Sequence, residues 1–351
     1  MTETRILKYR EALNEALLQA MQGDENIFVM GCGVDDEGGI FGTTRAAYEA
    51  FGKERVIDAP LSENAIAGIG VGAAIMGRRP VIVHARNDFL LLAMDQIINH
   101  AAKWNFMSGG KLDCPMLIRA IVGRGWGQAA QHSQSLQSLF AHIPGLKVIL
   151  PSTAYDAKGL LLASLQDNET VICIEHRLLY EIEEPVPEEA YTIPLGKGDV
   201  KRSGKDVTLV AFSYMVAEAL KAATLLEAEN ISVEVIDPRC VAPLDMDLIL
   251  ESVRKTGRVV IADTSWKSFG ASAEIATRIY ESCLRELEAP IARIGLPDQN
   301  TPCASNLEKE FYPGVDDIVK AVQSLTHPHH NASDYIARES SPEHAKFTGP
   351  F

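Results

Sequence analysis

The chain has 351 residues, of which 46% are hydrophobic and 23% charged, a balance typical of a soluble globular protein. This length predicts two domains of ordinary size, each able to bury a core. The formal net charge of −14 (33 basic and 47 acidic residues) argues against a surface for nucleic acid or for an anionic membrane.

The cysteines and the N-terminal sequence indicate a reducing compartment. The six cysteines include no Cys-x-x-Cys pair, so the sequence indicates neither a disulfide framework nor a zinc site. Residues 1–22 combine mixed charge with helical periodicity and lack the apolar core of a signal peptide. The longest uncharged apolar run, residues 65–77, is too short to cross a bilayer. We therefore expect a cytoplasmic protein.

In the first half of the chain, predicted strands alternate with predicted helices. Residues 80–85 (Pro-Val-Ile-Val-His-Ala) are a continuous apolar run of the kind found in buried parallel strands. Such an alternation predicts a parallel, doubly wound sheet. The expected strands are 27–30, 55–58, 80–85, 116–120, 148–150 and 170–174, and the expected helices are 5–22, 43–51, 62–77, 89–106, 132–142 and 155–166.

The second half repeats this pattern after a segment rich in Pro, Glu, Gly and Lys. We assign residues 1–184 to a first domain, 185–205 to a linker, 206–325 to a second α/β domain and 326–351 to a polar tail, expected to be disordered. The second domain has neither a Gly-x-Gly-x-x-Gly turn nor a P-loop, so we expect it to serve packing and assembly. Its expected strands are 207–212, 232–236, 258–262 and 291–294, and its expected helices are 214–228, 245–254 and 271–286.

Glu63 stands at the start of an unusually apolar helix, for which Ser62 is the expected N-cap and Gly77 the expected left-handed C-cap. It is the only ionisable residue between Asp58 and Arg78. Three glycines inside the helix are expected to let another backbone approach closely. Two interpretations of the carboxyl are open. It is either a helix-start carboxylate stabilised by the dipole, or a partly desolvated carboxyl with a raised pKa that exchanges a proton with a bound group.

The candidate functional residues follow the ends of predicted strands. Ligands on doubly wound sheets bind at the carboxyl ends of the strands. The ends of the second, third and fourth strands are therefore expected to contribute to one site. The loops after them carry Glu63, residues 84–89 and His132.

Several stretches of the sequence together resemble one family. They include Asp-Ala-Pro-Leu-Ser-Glu-Asn-Ala at 58–65, Ala-Met-Asp-Gln-Ile-Ile-Asn-His-Ala-Ala-Lys at 93–103, Gln-His-Ser-Gln-Ser at 131–135 and Ile-Pro-Gly-Leu-Lys-Val at 143–148. Over roughly residues 5–325 the chain resembles the β subunit of the thiamine diphosphate-dependent, decarboxylating component of 2-oxo acid dehydrogenase complexes, of pyruvate or acetoin dehydrogenase type. The resemblance implies a transketolase-like fold, with a pyrimidine-binding domain followed by a C-terminal α/β domain.

The resemblance implies that this chain forms half of a cofactor site. In the family an α subunit holds the diphosphate through Mg²⁺, with a Gly-Asp-Gly motif and a later Asn. This chain lacks that motif, so no magnesium ligand is expected in it, and a partner must compensate the charge of the diphosphate. The implied assembly has two α and two β subunits, and a lipoyl acyltransferase core is a further implied partner.

By position in the family, Glu63 and His132 are the implied catalytic residues. Glu63 would hydrogen-bond the ring nitrogen of the aminopyrimidine and favour the tautomer that deprotonates the thiazolium carbon. Leu61, Ala85 and Phe89 would line the cofactor, and His132 would face the substrate and later the lipoyl group. Without the resemblance, Phe89 as a core residue and His132 as a structural hydrogen-bonder would be the simpler interpretations.

The resemblance also implies a site for a monovalent cation such as K⁺. Backbone oxygens near a strand and the end of a helix form this site in the family, so its side chains carry little signature. The matching positions here are Met116, Ser164, Leu165, Asp167 and Glu169.

Two positions near the implied chemistry depart from the family's pattern. Cys32 lies in Gly-Cys-Gly-Val where the family has Gly-Glu-Asp-Val, so an acidic residue assigned to proton communication between paired sites is missing. Arg86 replaces an aromatic residue. Inside the pocket its five donors would suit a carboxylate or phosphate of the substrate, whereas outside it would form a surface ion pair. His84, at a strand end, is a second candidate for a polar contact to the substrate.

Three functions stay open at this point. With an α partner, the chain would decarboxylate a 2-oxo acid and pass the acyl unit to a lipoyl acceptor. Alternatively, it would belong to a split transketolase-like enzyme that transfers a ketol or acyl group to an aldehyde, which Arg86 makes plausible. The third is a degenerate subunit that only scaffolds a partner, against which the presence of Glu63, Phe89 and His132 argues.

Overall fold

The computed structural model describes residues 5–36, 38–125 and 127–326, and within these residues the first part of the chain forms eight strands and six α-helices. Short 3₁₀ segments cover Gly39–Gly42, Asn87–Ala93 and Arg177–Leu179, and a π-helical segment covers Asp95–Ala101. The regular elements are β1 (Arg5–Lys8), α1 (Tyr9–Gly23), β2 (Ile27–Gly31), α2 (Arg45–Arg55), β3 (Val56–Asp58), α3 (Glu63–Ile75), β4 (Arg79–His84), α4 (Trp104–Met107), β5 (Leu117–Val122), α5 (Gln137–Ala141), β6 (Leu146–Ile149), α6 (Ala154–Gln166), β7 (Thr170–His176) and β8 (Glu183–Val186).

The second part of the described chain adds six strands and five α-helices. They are β9 (Asp199–Arg202), β10 (Val207–Ala211), α7 (Tyr214–Glu227), β11 (Val233–Asp237), β12 (Cys240–Ala242), α8 (Met246–Thr256), β13 (Val259–Trp266), α9 (Ala271–Cys283), β14 (Ala292–Leu296), α10 (Ser305–Phe311) and α11 (Val315–Thr326).

Two largely parallel sheets confirm the predicted α/β architecture. The larger one has the order β12-β6-β7-β5-β4-β2-β3, and only β12, from the second part of the chain, is antiparallel to its neighbour. The other has the order β14-β13-β10-β11-β9, with β9 as an antiparallel edge strand. Strands β1 and β8 form a separate antiparallel pair.

The larger sheet is covered on both faces, which is why its strands are apolar at nearly every position. Successive residues of β4 point to opposite faces. Val81 belongs to the buried cluster that includes Leu13 of α1 and Leu161 of α6, whereas Ile82 belongs to the cluster that includes Ile66 of α3. The apolar run at residues 80–85, in which apolar and polar residues do not alternate, therefore correctly predicted a strand that is buried on both faces.

The N-terminal segment differs from the predicted helix 5–22. Residues 5–8 form β1, which pairs with β8, and the helix begins at Tyr9. A four-residue strand is too short to carry a period, and its partner lies more than 170 residues away in the sequence. The predicted linker 185–205 also has regular structure, because it contains the end of β8 and all of β9.

Two helical predictions near the candidate site were wrong in their extent. The predicted helix 89–106 is a 3₁₀ segment, a π-helical segment and the short α4. Its buried positions 90, 93, 97 and 101 are three or four residues apart, so spacing alone did not reveal the irregular turns. The helix predicted to begin at His132 begins at Gln137, and the histidine lies in a preceding turn.

Helix α3 has the predicted C-terminal cap. Gly77 has φ +88°, and its N–H donates to the Ala74 carbonyl at 3.0 Å, while the N–H of Arg78 donates to the Ala73 carbonyl at 3.0 Å. These two bonds are those of a Schellman motif. At the other end Ser62 is at the N-cap position, but its side chain accepts no capping hydrogen bond.

Among the described residues, the nearest neighbours of the α3 glycines are side chains and not another backbone. A Cβ at Gly70 would lie 2.8 Å from the sulfur of Met116 and 3.0 Å from the side chain of Ile82. At Gly68 the nearest neighbour, a glutamine side chain, is 3.4 Å away, and a Cβ at Gly72 would meet nothing within 4 Å. The close contact is therefore with side chains of the same domain.

The expectation of a disordered tail beyond Thr326 falls outside the described residues. For the described residues, no helix combines the length and the apolar character needed to cross a membrane.

Replacing Gly145 by alanine should destabilise the fold. Gly145 has φ +95°, and a Cβ there would overlap the carbonyl oxygen of Ala102. We expect Gly145→Ala to lower the free energy of unfolding by about 2 kcal/mol or more, measured by urea denaturation. Gly72→Ala is the matched control, because its Cβ would be unobstructed in a helix, and it should gain roughly 0.5–1 kcal/mol. Equal unfolding midpoints for the two variants would contradict this account.

Candidate active site

The loops that follow β4 and β5 meet at the carboxyl edge of the larger sheet, where these strands are neighbours. The ring of Phe89, from the first loop, stands edge-on to the imidazole of His132, from the second. Their centroids are 5.4 Å apart and the planes are at 89°. The structure therefore brings together two of the residues that the sequence indicated.

Hydrogen bonds between buried groups fix these two loops to each other. Asp88 Oδ1 accepts from the backbone N–H of Gln134 at 3.1 Å and from its Nε2 at 2.9 Å. Asn87 Nδ2 donates to the Gln134 carbonyl at 3.0 Å. The Ser133 hydroxyl donates to the Gly123 carbonyl at 2.8 Å. The turn that carries the histidine is thus held by the two residues that follow it.

Helix α5, next along the chain, is tied to the second domain. Gln137 Nε2 donates to Asp263 Oδ1 at 2.7 Å and to the Thr264 hydroxyl at 3.3 Å, and all three residues are buried. Burial raises the pKa of Asp263 to about 6. The sequence did not reveal this contact, for which the available signal was an aspartate inside the apolar strand β13.

Glu63 lies on a separate loop of the same edge, after β3. It is half-buried at the first position of α3. The adjoining loops are joined by the Gly33 N–H, which donates to Asp58 Oδ1 at 2.7 Å. Strand β2 lies between β3 and β4, and within the described residues no hydrogen bond or ion pair joins Glu63 to the Phe89–His132 pair.

Cys32, one of the departures from the family, lies in an acidic setting near Glu63. Partial desolvation raises the pKa of the Cys32 thiol, and the carboxylates of Asp58, Asp36 and Glu63 raise it further. The thiol is exposed and free. Negative charge is thus still present around this position although the family's acidic residue is absent.

The apolar residues expected beside the cofactor differ in exposure. Leu61 has 78% of its surface exposed, Ala85 is exposed, and Phe89 is half-buried. An apolar side chain that is open to solvent two residues before a helix-start carboxyl fits an aromatic ring placed against that helix. The described residues therefore fit the pyrimidine half of thiamine diphosphate.

Arg86 is buried, which contradicts the surface ion-pair interpretation. Its Nε donates to Gln128 Oε1 at 2.9 Å, its Nη1 donates to the Ala85 carbonyl at 2.6 Å, and the guanidinium lies 5.9 Å from the centre of the Phe41 ring. Burial lowers the pKa of Arg86. No carboxylate of the described residues lies within ion-pair distance of it.

His84 is buried at the end of β4 and is neutral at physiological pH. Burial lowers its pKa to about 4. Among the described residues, Nε2 has no hydrogen-bond partner. A contact from His84 to a ligand would therefore be a neutral hydrogen bond.

Two further arginines, not predicted from the sequence, lie at this edge. Arg124, after β5, is buried with its guanidinium 3.9 Å from the centre of the Tyr312 ring and 5.3 Å from that of Tyr214. Arg177, after β7, is buried and donates from Nη2 to the carbonyls of Arg124 and, at 3.1 Å, Gly125. An arginine one or two residues after each of three buried strands was the available signal.

The backbone oxygens predicted to hold a monovalent cation are already engaged. Arg79 Nη1 donates to the carbonyls of Leu165 at 3.1 Å and Asp167 at 2.7 Å. The Met116 carbonyl accepts from the N–H of Val171 at 2.9 Å. A guanidinium thus stands against two of the five positions, and the K⁺ site stays a prediction.

The Ser164 carbonyl and the side chains of Asp167 and Glu169 also have partners. The Ser164 carbonyl accepts from the N–H of Asp167 at 3.4 Å, and Lys147 pairs with the carboxylates of Asp167 at 2.6 Å and Glu169 at 2.9 Å. No group of three or more His, Cys, Asp or Glu side chains in the described ranges is arranged to hold a metal ion.

Comparisons with known proteins place the chain in a family. Residues 6–183 match the family described as "Transketolase, pyrimidine binding domain", and residues 196–318 match "Transketolase, C-terminal domain". The 2-oxoisovalerate dehydrogenase subunit beta of Bacillus subtilis is 42% identical over 91% of this chain and 98% of its own length. The chain belongs to this transketolase-like family of dehydrogenase β subunits.

Other members of the family carry different names at the same identity. The pyruvate dehydrogenase E1 component subunit beta of Rhizobium meliloti is 42% identical over 92% of this chain and 71% of its own length. The acetoin:2,6-dichlorophenolindophenol oxidoreductase subunit beta of Bacillus subtilis is 42% identical over 92% and 97%. Among solved structures, a split gene transketolase, an inactive beta4 tetramer, superposes with a TM-score of 0.75 and 25% identity, covering 91% of this chain and 98% of that one.

Removing the imidazole of His84 should flatten the pH dependence of stability. Between pH 6.5 and 4 the unfolded chain binds a proton at this residue and the folded chain does not, so wild type loses stability as the pH falls. The loss should reach about 2–3 kcal/mol near pH 4. In urea unfolding, the free energy of unfolding of His84→Gln should not show this loss between pH 6.5 and 4. His142→Gln, at an exposed histidine, is the control and should follow wild type.

Proposed function

We propose that this chain is the β subunit of a heteromeric, thiamine diphosphate-dependent enzyme. With an α partner it decarboxylates a 2-oxo acid and passes the acyl unit to a lipoyl acceptor. The observation that carries the proposal is the Phe89–His132 pair, held by hydrogen bonds at the same sheet edge as the helix-start carboxyl of Glu63.

The relatives support the reaction class and leave the substrate open. The names of three of them refer to 2-oxoisovalerate, pyruvate and acetoin, yet each is 42% identical to this chain. Identity at this level does not distinguish among them. The nature of the 2-oxo acid must therefore come from the residues of the site.

Bound thiamine diphosphate would supply the carbon nucleophile and the electron sink that decarboxylation requires. From this chain, the Glu63 carboxyl would share a proton with the ring nitrogen of the aminopyrimidine. Leu61, Ala85 and Phe89 would exclude water from the ring. The diphosphate and its Mg²⁺ are assigned to the α partner, because this chain has no Gly-Asp-Gly motif.

His132 would donate a hydrogen bond to the substrate and later to the acceptor. A histidine is useful there because its ring can give or take a proton near neutral pH. Its placement depends on the contacts of Ser133, Gln134 and Gln137, all of which follow it in the chain. Both loops and both domains therefore position this imidazole.

An exposed apolar surface supports assembly with other subunits. It comprises Ile69, Met76 and Leu92 with Phe106 and Met107, of which Met76 and Phe106 have 82% and 86% of their surface exposed. Monomeric proteins rarely expose so many large apolar residues on neighbouring elements. We assign this surface to contacts within an assembly of two α and two β chains; the lipoyl core and the cytoplasmic location stay predictions.

A second candidate function is ketol or acyl transfer to an aldehyde acceptor. The buried Arg86 favours it, since an arginine beside the substrate suits an acidic or phosphorylated partner. The resemblance to a split gene transketolase is in line with this reading. Product analysis of the assembled enzyme with lipoamide, and separately with an aldehyde, distinguishes the two reactions.

Replacing the carboxyl of Glu63 by an amide tests both proposed enzymatic reactions. In the reconstituted assembly, Glu63→Gln should lower kcat by about 10²–10⁴, the usual loss when a positioned acid–base group is removed. Glu274→Gln, at an exposed carboxyl in the first turn of α9, should leave turnover unchanged. If Glu63→Gln also leaves it unchanged, the chain is a scaffold and the proposed chemistry is wrong.

Charging the exposed face of α3 tests the assembly. Ile69 has 53% of its surface exposed, and Ile69→Glu would place a carboxylate within the apolar surface. Size-exclusion chromatography of the co-expressed subunits should then show loss of the complex, because burying an unpaired charge is costly. Lys53→Glu, on the exposed side of α2, should assemble normally. Normal assembly of Ile69→Glu would exclude α3 from the interface.

A further inference from the structure

Three buried arginines follow three neighbouring strands of the larger sheet. Arg86 comes two residues after β4, Arg124 two residues after β5 and Arg177 directly after β7. These strands are adjacent in the order β7-β5-β4. We call these three residues the arginine cluster. It lies at the sheet edge where doubly wound folds bind their ligands.

The side chains of Arg86 and Arg177 close around one short stretch of main chain, to which Arg124 itself belongs. A Cβ at Gly123 would lie 2.7 Å from Arg86 Nε and would overlap the carbonyl oxygen of His132. Arg177 donates to the two carbonyls that follow this glycine. Arg86 and Arg177 therefore flank the same loop, and the backbone of the candidate catalytic histidine touches it too.

The charges of Arg86 and Arg124 are poorly compensated. Arg86 is bonded to an amide oxygen and a carbonyl, and Arg124 stacks on aromatic rings; in the described ranges neither has a carboxylate within ion-pair distance. Glu218 and Glu308 act on Arg124 only from farther away. Burial and the charge of Arg86 lower the pKa of Arg177 to about 10. Buried like charges are costly, so an anion would stabilise this arrangement.

The chemistry of the anion follows from the donors and from the reaction. Guanidinium groups match carboxylate and phosphate oxygens with paired hydrogen bonds. The carboxylate that leaves as CO₂ is a poor match, because contacts to it weaken as its charge disappears and would stabilise the ground state over the transition state. The group that fits is one that the substrate keeps throughout the reaction.

We propose that the arginine cluster binds a second anionic group of the substrate, a carboxylate or a phosphate, which is retained through the reaction. This inference rests on the proposed function for its reaction and on the arrangement of the arginines for its site. The preferred donor is then a 2-oxo acid with a distal carboxylate or phosphate. A 2-oxo acid with an aliphatic side chain would bring no such counter-charge to Arg86 and Arg124.

Anion binding by the full chain tests the site without any turnover. Calorimetric titration with glutarate and, separately, with inorganic phosphate should show saturable binding of at least one probe, and the tighter probe identifies the class of anion. Arg86→Gln and Arg124→Gln should each weaken that binding at least tenfold. Arg202→Gln, at an arginine paired with Glu227 on the surface of the second domain, should bind as wild type does.

Two results would overturn the site. One is the absence of saturable binding of either probe to wild type. The other is unchanged binding in both glutamine variants, with urea unfolding used to check that they are folded. Arg86→Lys covers the case in which the glutamine variant does not fold, since it keeps the charge and loses the paired donors. It should bind more weakly than wild type, and wild-type affinity would contradict the proposal.

Substrate preference of the assembled enzyme tests the link to the reaction. The ratio of kcat/KM for 2-oxoglutarate or phosphohydroxypyruvate to that for pyruvate should favour the dianionic donor in wild type. Arg86→Gln should lower this ratio at least tenfold. If the enzyme turns over pyruvate and Arg86→Gln leaves the kcat/KM ratio unchanged, the inference is refuted and the proposed function still stands. Anion binding without turnover of any 2-oxo acid would support the cluster as an anion site and refute the proposed function.

Discussion

The pair of hydrogen bonds from Gln134 to the buried Asp88 carboxylate is the contact on which the candidate site depends. It joins the loop after β4 to the loop after β5, and so brings Phe89 against His132. Each loop alone would be free to move, since loops have few buried contacts of their own. Hydrogen bonds to a charged acceptor away from water are each worth roughly 1.5–3 kcal/mol, enough to fix one arrangement.

The two domains are joined through the same region. Strand β12, from the second part of the chain, extends the larger sheet beside β6, and Gln137 reaches Asp263 of β13. The ring of Tyr312, after α10, covers Arg124. The second domain, for which the sequence indicated only packing and assembly, thus also supports the loops at the sheet edge. This explains why a domain without a phosphate-binding motif contributes to the geometry of the site.

Local patterns predicted the strands and the fold, whereas long-range contacts decided the rest. Uninterrupted apolar runs such as residues 80–85 gave β4 correctly, and Gly77 gave the end of α3. No local pattern could show that Arg79 would reach the carbonyls of Leu165 and Asp167, more than 80 residues away. The three arginines of the cluster likewise follow neighbouring strands only because of the strand order, which no local sequence pattern predicts. The roles of Glu63 and His132 came from the family resemblance, and they are still predictions.

The antiparallel strand β12 has a consequence for dissecting the protein. It supplies the outermost strand of the larger sheet, although residues 240–242 lie far beyond the end of the first domain. A fragment cut near residue 184 would expose the backbone donors and acceptors of β6 along an open edge. Such edges pair with other chains and promote aggregation. The N-terminal half is therefore not a self-contained unit. Limited proteolysis between the halves would yield an aggregation-prone fragment instead of a soluble domain.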